Sequence, residues 1–388
     1  MLIITIITFI VVFGLLIFLH ELGHFMTARK FGVRVEEFGF GLPPRIGGMV
    51  WEQGKWRLVG PSYRSEKATV YSLNWIPFGG FVKLYGEEGE HAAEKDSFAS
   101  QTPGKRAIIL SAGVSMNVLL TIVLLSAGFM GGTPSVIDDI LPQGARVRDE
   151  KVQVVNVVSN SPAESAGFKV GDTITHLDGT PVSSVKEFQN YTAAHKGEEI
   201  EIDYVRDGVI DSRTLQPQIL PDEPARAIIG VALIKTGTVS YPWYRAIPQG
   251  VIATGEMAVN LVKGFGRIIG QLLSTGRSDN AIAGPVGIAV LTGQVVKLGF
   301  LYLIQFTATL SLNLAILNYL PIPALDGGRV LFVLVEKIRG KAVDRKLEAL
   351  VHTIGFALLL ALIAFVTYKD IVRFGAGILN TLKSAIMG

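Results

Sequence analysis

Four stretches of the chain are apolar on every face rather than along one stripe: near Leu2 to Met26, Ala107 to Met130, Phe300 to Leu320 and Val351 to Tyr368. A helix crosses the hydrocarbon core with about 20 such residues, so each stretch predicts a transmembrane helix. The first is expected to stay in the mature protein. No Lys or Arg precedes it, its apolar part is too long for a leader, and no small-x-small cleavage pattern follows.

Elsewhere the pattern changes period. Val152 to Val158 is rich in β-branched residues and Ile200 to Val205 alternates apolar with polar side chains, both predicting half-buried strands. Tyr71 to Tyr85 predicts two short strands around Gly79 and Gly80, a hairpin so apolar that it belongs beside the membrane rather than in water. Tyr241-Pro-Trp-Tyr244 introduces a stretch to Leu273 with apolar residues at helical spacing, and its aromatics predict a position at the membrane surface.

Charge then sets an orientation. Basic residues crowd the segment between the first and second spans, from Arg29 to Lys83 and again at Lys105 and Arg106, and the segment between the third and fourth, from Arg329 to Lys346. By the positive-inside rule both segments are cytoplasmic, which puts the N-terminus outside. The expected division is helix 1 over 1–29, a cytoplasmic segment over 30–105 with its hairpin near 70–85, helix 2 over 106–130 and an extracytoplasmic domain over 131–222. Membrane-associated helices over 223–299 follow, then helix 3 over 300–321, a cytoplasmic loop over 322–349, helix 4 over 350–369 and a tail over 370–388.

Composition narrows the chemistry. Of 388 residues, 49% are hydrophobic and only 18% charged, more apolar than a soluble core requires. The absence of cysteine excludes disulfide frameworks, thiolate zinc sites and thiol nucleophiles, so any metal must rest on His, Asp or Glu. A formal charge of +3, scattered along the chain, argues against a nucleic-acid partner.

The first span ends in His20-Glu21-Leu22-Gly23-His24. The i, i+4 spacing puts both imidazoles on one helix face, where neutral ring nitrogens bind Zn²⁺ and the intervening carboxylate reaches a water on the metal. An isolated pentad of this kind also arises by chance in soluble helices. In a membrane span, though, a charged residue near the bilayer centre costs on the order of 3 kcal/mol, so Glu21 requires a function. Catalytic zinc takes three protein ligands and leaves one position open. The best third ligand is Asp326, which follows the third span inside Asn318-Tyr-Leu-Pro321-Ile-Pro323-Ala-Leu-Asp326-Gly-Gly328, where two prolines end the helix and two glycines are expected to let the chain turn. The plain alternative for Asp326 is an ordinary loop carboxylate. The remaining histidines, His91, His176, His195 and His352, lack partners at ligand spacing and are expected at the surface or in packing.

His-Glu-Leu-Gly-His at the end of one span, with Asn-x-x-Pro-x-Pro-x-Leu-Asp-Gly-Gly after a later one, resembles the site-2 protease family, and most of all its bacterial regulator-of-sigma-E protease branch. Phe38-Gly-Phe-Gly41, Pro77-Phe-Gly-Gly-Phe-Val-Lys83 and Gly284-Pro-Val-Gly-Ile-Ala289 fall in the family's order. The resemblance implies an intramembrane zinc metalloprotease with His20, His24 and Asp326 as zinc ligands, Glu21 as general base, and Asn313 and Asn318 near the substrate. It also implies a membrane-reentrant hairpin whose strand edge at Gly79 and Gly80 holds an unwound substrate extended. Implied substrates are single-span membrane proteins such as anti-sigma factors, or remnant signal peptides, in a bacterial inner membrane. One departure is Ala112-Gly113-Val114, where the family pattern has a proline after the glycine.

Within the extracytoplasmic segment, Ser161-Pro-Ala-Glu-Ser-Ala-Gly167 and Val170-Gly-Asp-Thr-Ile-Thr-His-Leu-Asp-Gly179 resemble the PDZ signature. A PDZ domain pairs an extended peptide with a sheet edge, so a peptide or protein ligand is expected, with size exclusion of large ectodomains as the other role. The whole is then a polytopic α-helical membrane protein carrying a reentrant β-hairpin and an inserted α+β domain. Two other functions use the same residues: a membrane metal transporter, which needs further ionisable groups along a path, and a PDZ-bearing scaffold with an inactive centre, which has no need of Glu21.

Overall fold

The computed structural model describes residues 2–65, 67–87, 89, 91–137, 144–206, 208–220, 223–275, 284–341 and 343–387. The chain forms two compact units, one of 1–126 with 247–388 and one of 127–246.

In the first unit, helix α1 (Leu2–Lys30) closes on Arg29 and Lys30, cations that suit the negative end of a helix. Its sequence is apolar all round, yet Val12, Leu16, His20, His24 and Ala28 are buried at i, i+4 spacing while Ile3, Ile7, Val11 and Leu15 stay exposed. One stripe faces protein and the rest leaves large apolar side chains exposed, as expected of a span. Strands β1 (Val35–Glu52), β2 (Lys55–Val59) and β3 (Val70–Leu84) form an antiparallel sheet in the order β2-β1-β3. Both long strands fold back, so Phe38 pairs with Val82 and also with Tyr71. The fold-back of β3 is at Gly79, whose φ of +95° a side chain rarely adopts. Thus the expected hairpin over 71–85 is a bent β3, and β1, which the periodicity did not single out, threads through it. Helix α2 (Pro103–Gly131) completes this half. Phe25, Val35, Phe38, Leu84, Ile109, Leu110 and Val330 form the buried cluster that joins sheet and helices.

The second unit holds β4 (Thr133–Val136), β5 (Arg146–Val157), the one-turn α3 (Pro162–Ser165), β6 (Thr173–Leu177), β7 (Thr180–Pro181), α4 (Val185–Ala194), β8 (Ile200–Arg206), β9 (Val209–Leu215), β10 (Gln218–Leu220), β11 (Glu223–Ile228) and β12 (Val231–Ser240). The main sheet runs β4-β12-β5-β6-β8-β9 over a core of Val152, Val154, Ile174, Leu177, Phe188, Ile200, Ile202 and Tyr204. Ser161 and Ser184 cap α3 and α4, the latter through a capping box with Glu187. Asp172, 1% exposed, receives both Nε and Nη2 of Arg206 at 2.7 and 2.6 Å, tying the turn before β6 to β8. The expected limit of this domain at 222 falls short. β12 pairs with both β4 and β5, so strand continues to Ser240, because Val231, Leu233 and Val239 supply apolar side chains the sheet can bury.

After the second unit come α5 (Trp243–Thr275), α6 (Pro285–Leu298), α7 (Phe300–Tyr319), α8 (Asp326–Arg339) and α9 (Arg345–Met387). Asp370 on α9, 3% exposed, accepts the Gly287 N–H at 2.7 Å and so satisfies the first turn of α6, which gives Gly284-Pro-Val-Gly287 a structural role. Among the described residues, four helices are long and apolar enough to cross a membrane: Leu2–Lys30, Pro103–Gly131, Phe300–Tyr319 and Lys346–Gly375. The segment expected to be a loop over 322–349 is instead largely helical, with α8 beginning at Asp326 itself and α9 at Arg345.

Candidate metal centre

Helix periodicity brings His20 and His24 onto the inner stripe of α1, and α8 opens with Asp326 against them. His20 Nε2 lies 2.9 Å from Asp326 Oδ2, His24 Nε2 lies 3.4 Å from the same oxygen, and the two Nε2 atoms are 3.3 Å apart. Ligands held 2.0–2.1 Å from a tetrahedral zinc stand roughly 3.3 Å from one another. The three atoms therefore already have the separations that zinc requires, and three is the number that leaves a fourth position for water. Both imidazoles are buried, His20 at 5% and His24 at 6% exposure. Burial of the Asp326 carboxyl favours its neutral form, but the adjacent His20 and His24 outweigh that and hold it well below the usual carboxylate range.

Helix α2 shapes the space around these ligands. A Cβ on Gly113 would lie 2.3 Å from His24 Nε2 and 2.8 Å from His20 Nε2, so any side chain here would crowd both ligand nitrogens. One turn before it, the Ile109 carbonyl accepts from His24 Nδ1 at 2.8 Å, which leaves the Nε2 lone pair for the metal. One turn after it, the Asn117 amide sits 3.3 Å from His20 Nδ1. The expected family proline after Gly113 is Val114 here, and α2 remains continuous through it.

The connection before Asp326 is held from several sides. The glycines expected to turn the chain sit inside α8 instead. Cβ atoms there would come within 2.3 Å of the Tyr319 and Leu320 carbonyls at Gly327, and of the Ile322 carbonyl at Gly328, so these glycines permit close approach. The left-handed residue is Ala324 at φ +75°, and its N–H donates to His352 Nδ1 on α9 at 2.9 Å. Arg329 pairs with Glu87 just after β3, and Arg106 of α2 pairs with Glu336, clamping both ends of α8.

Glu21 lies on α1 beside the bend of β3, with the position of a Gly80 Cβ only 3.6 Å from its Cγ; that same Gly80 position is 3.0 Å from the Gly39 carbonyl. Gly79 abuts Ile17 and Leu42. The strand edge expected to hold substrate therefore adjoins the expected base. Asn313 and Asn318 are half-buried on α7. Periodicity alone did not single out Asn117, Gly113 or His352. An uncompensated amide inside an apolar span is the signal that marks Asn117, since polar groups at that depth need partners.

Comparison with known proteins adds a family. The model of peptidase family M50 matches residues 8–61 and 58–362. The chain is 31% identical to the zinc metalloprotease RasP of Geobacillus kaustophilus over 95% of its length and 98% of the relative's. It is 33% identical to a putative zinc metalloprotease of Clostridium perfringens over 93% and 96% of the two chains. Among solved structures, the PDZ domain of an SdrC-like protein from Listeria monocytogenes aligns with 23% of this chain and 92% of its own at 27% identity, with a TM-score of 0.21.

Proposed function

The chain belongs to peptidase family M50, and we propose that the zinc of this zinc metalloprotease is held by His20, His24 and Asp326, with Glu21 as the general base. The observation that carries the assignment is the 2.9, 3.3 and 3.4 Å triangle of ligand atoms. Zn²⁺ when bound supplies Lewis acidity, bringing a water's pKa to about 7 and polarising the scissile carbonyl. Glu21 takes the proton from the attacking water and delivers it to the departing amine. The Ile109 carbonyl keeps His24 in the tautomer that presents Nε2.

The protein is a multi-pass membrane protein, and the scissile bond lies in or at the edge of the bilayer. A transmembrane substrate hides its peptide bonds in i to i−4 hydrogen bonds, so it must unwind before attack. The strand edge near Gly79 and Gly80, beside Glu21, receives the unwound segment as an added strand from a hairpin that dips into the membrane, and Asn313 and Asn318 on α7 bind the same substrate. Substrates are single-span membrane proteins, anti-sigma factors or remnant signal peptides in type, in a bacterial inner membrane. The N-terminus is outside and the zinc near the cytoplasmic side, following the basic segments. The second unit acts outside as a PDZ domain, a reading supported by the Ser161 to Gly179 signature and its capped α3.

Zinc content tests the ligand set. His20→Ala and Asp326→Ala should each lose stoichiometric zinc while the folded chain persists in detergent; a full equivalent retained in either variant would overturn the assignment.

A further inference from the structure

Asn117 is fully buried on α2, at 0% exposure, and its side chain faces the outer nitrogen of His20, which has no main-chain partner among the described residues. Its Nδ2 lies 3.3 Å from His20 Nδ1, and its Oδ1 is buried with no hydrogen-bond partner among the described residues. Its backbone is fixed independently. The carbonyl of Asn117 accepts from Thr121 Oγ1 at 2.9 Å and from Ser311 Oγ of α7 at 2.8 Å, so α2 and α7 hold this residue in place.

The donor pattern is the informative part. With Nδ2 toward the ring, His20 Nδ1 must accept, its proton then sits on Nε2, and Nε2–H donates to Asp326 Oδ2 at 2.9 Å. That arrangement suits the metal-free site. To ligate zinc, Nε2 must offer its lone pair, which leaves the proton on Nδ1 and requires an acceptor there. An amide supplies one without moving its backbone, because half a turn about its last bond exchanges Nδ2 for Oδ1 in the same outline. The orphaned oxygen is the acceptor that the zinc-ready tautomer needs.

We propose that Asn117 is the positioning residue for His20, taking the Nδ1 proton on Oδ1 so that Nε2 faces the metal. This rests on His20 being a zinc ligand. Ile109, Gly113 and Asn117, at i, i+4 and i+8 on one face of α2, then form a single device. The first orients His24, the second leaves room for the ion, and the third orients His20.

The experiment is competition for zinc between the purified full-length protein and a chromophoric chelator, with the visible absorption of the Co²⁺-substituted protein recorded alongside. Asn117→Leu removes the acceptor while keeping the same branching and should weaken zinc by about 10- to 100-fold, the usual cost of losing such an outer partner, and alter the Co²⁺ bands. Asn117→Asp, an acceptor only, should hold zinc within about tenfold of the wild type and restore the bands. Leucine-variant affinity equal to wild type would overturn the proposal, as would an aspartate variant that is folded yet zinc-free. Should the leucine variant fail to accumulate, retention or loss of zinc in Asn117→Asp decides alone. Wild-type protein that binds no zinc would instead defeat the ligand assignment beneath it.

Discussion

His24 Nδ1 donates to the Ile109 carbonyl at 2.8 Å, so a main-chain oxygen on α2 selects which nitrogen of a residue on α1 is free for metal. A backbone acceptor cannot be lost by point substitution, whereas the neighbouring elements of the site can be tested one side chain at a time.

Gly113→Ala should disturb packing and metal binding together. Alanine favours helix over glycine by about 1 kcal/mol, but its Cβ would fall 2.3 Å from His24 Nε2. Both buried imidazoles must shift whether or not metal is bound, so the metal-free protein should melt below wild type, and zinc affinity should fall by at least about tenfold, a loss of the size seen when ligand geometry is disturbed. Metal analysis beside thermal unfolding reads both.

His352→Phe should loosen the connection that delivers Asp326. The Ala324 N–H loses its acceptor, and an unpaired buried donor costs about 1–3 kcal/mol. Faster amide exchange at residues 322–326 and a lower zinc affinity are expected. Ala324→Gly should be neutral or stabilising, since φ +75° favours glycine.

Arg106 and Glu336 should show coupling in a double-mutant cycle. Replacing either with methionine strands a partner that is largely buried, with side chains 15% and 23% exposed, so each single change should destabilise more than the pair together. Additive effects would mean that this ion pair does not hold α8.

Acid should loosen the second unit first through three carboxylates. The Glu201 N–H and Tyr191 hydroxyl hold Asp178 below its usual pKa, the Ser183 hydroxyl and N–H do so for Glu187, and the Tyr204 hydroxyl does so for Asp211. A pKa depressed in the folded state contributes stability that is complete above the unfolded values of about 4 and is lost as pH falls through the folded ones. Amide protection of β6, β8 and α4 should therefore decline below about pH 4, and Asp178→Asn should flatten that decline.

Much of this was legible because lipid imposes long uninterrupted apolar runs, and because His20, Glu21 and His24 lie within one turn of one helix. Asp326 was placed by the prolines before it. Geometry over distance was not legible. Residues 97 and 85 apart set the outer partners of His20 and His24, and His352 reaches Ala324 from the last span. The path of β1 through bent β3 depends on pairing that no local period encodes. Gly327 and Gly328 looked like turn residues because glycine serves both turning and close approach, and only the neighbouring carbonyls distinguish the two.

Cleavage of a tagged single-span substrate by purified wild type and Glu21→Gln, with zinc quantified in both, is the most direct measurement. Equal zinc in the two proteins and cleavage by the wild type alone, with the variant slowed by about 10²- to 10⁴-fold, is the predicted result. Cleavage by Glu21→Gln at the wild-type rate, or active wild type without zinc, would contradict it.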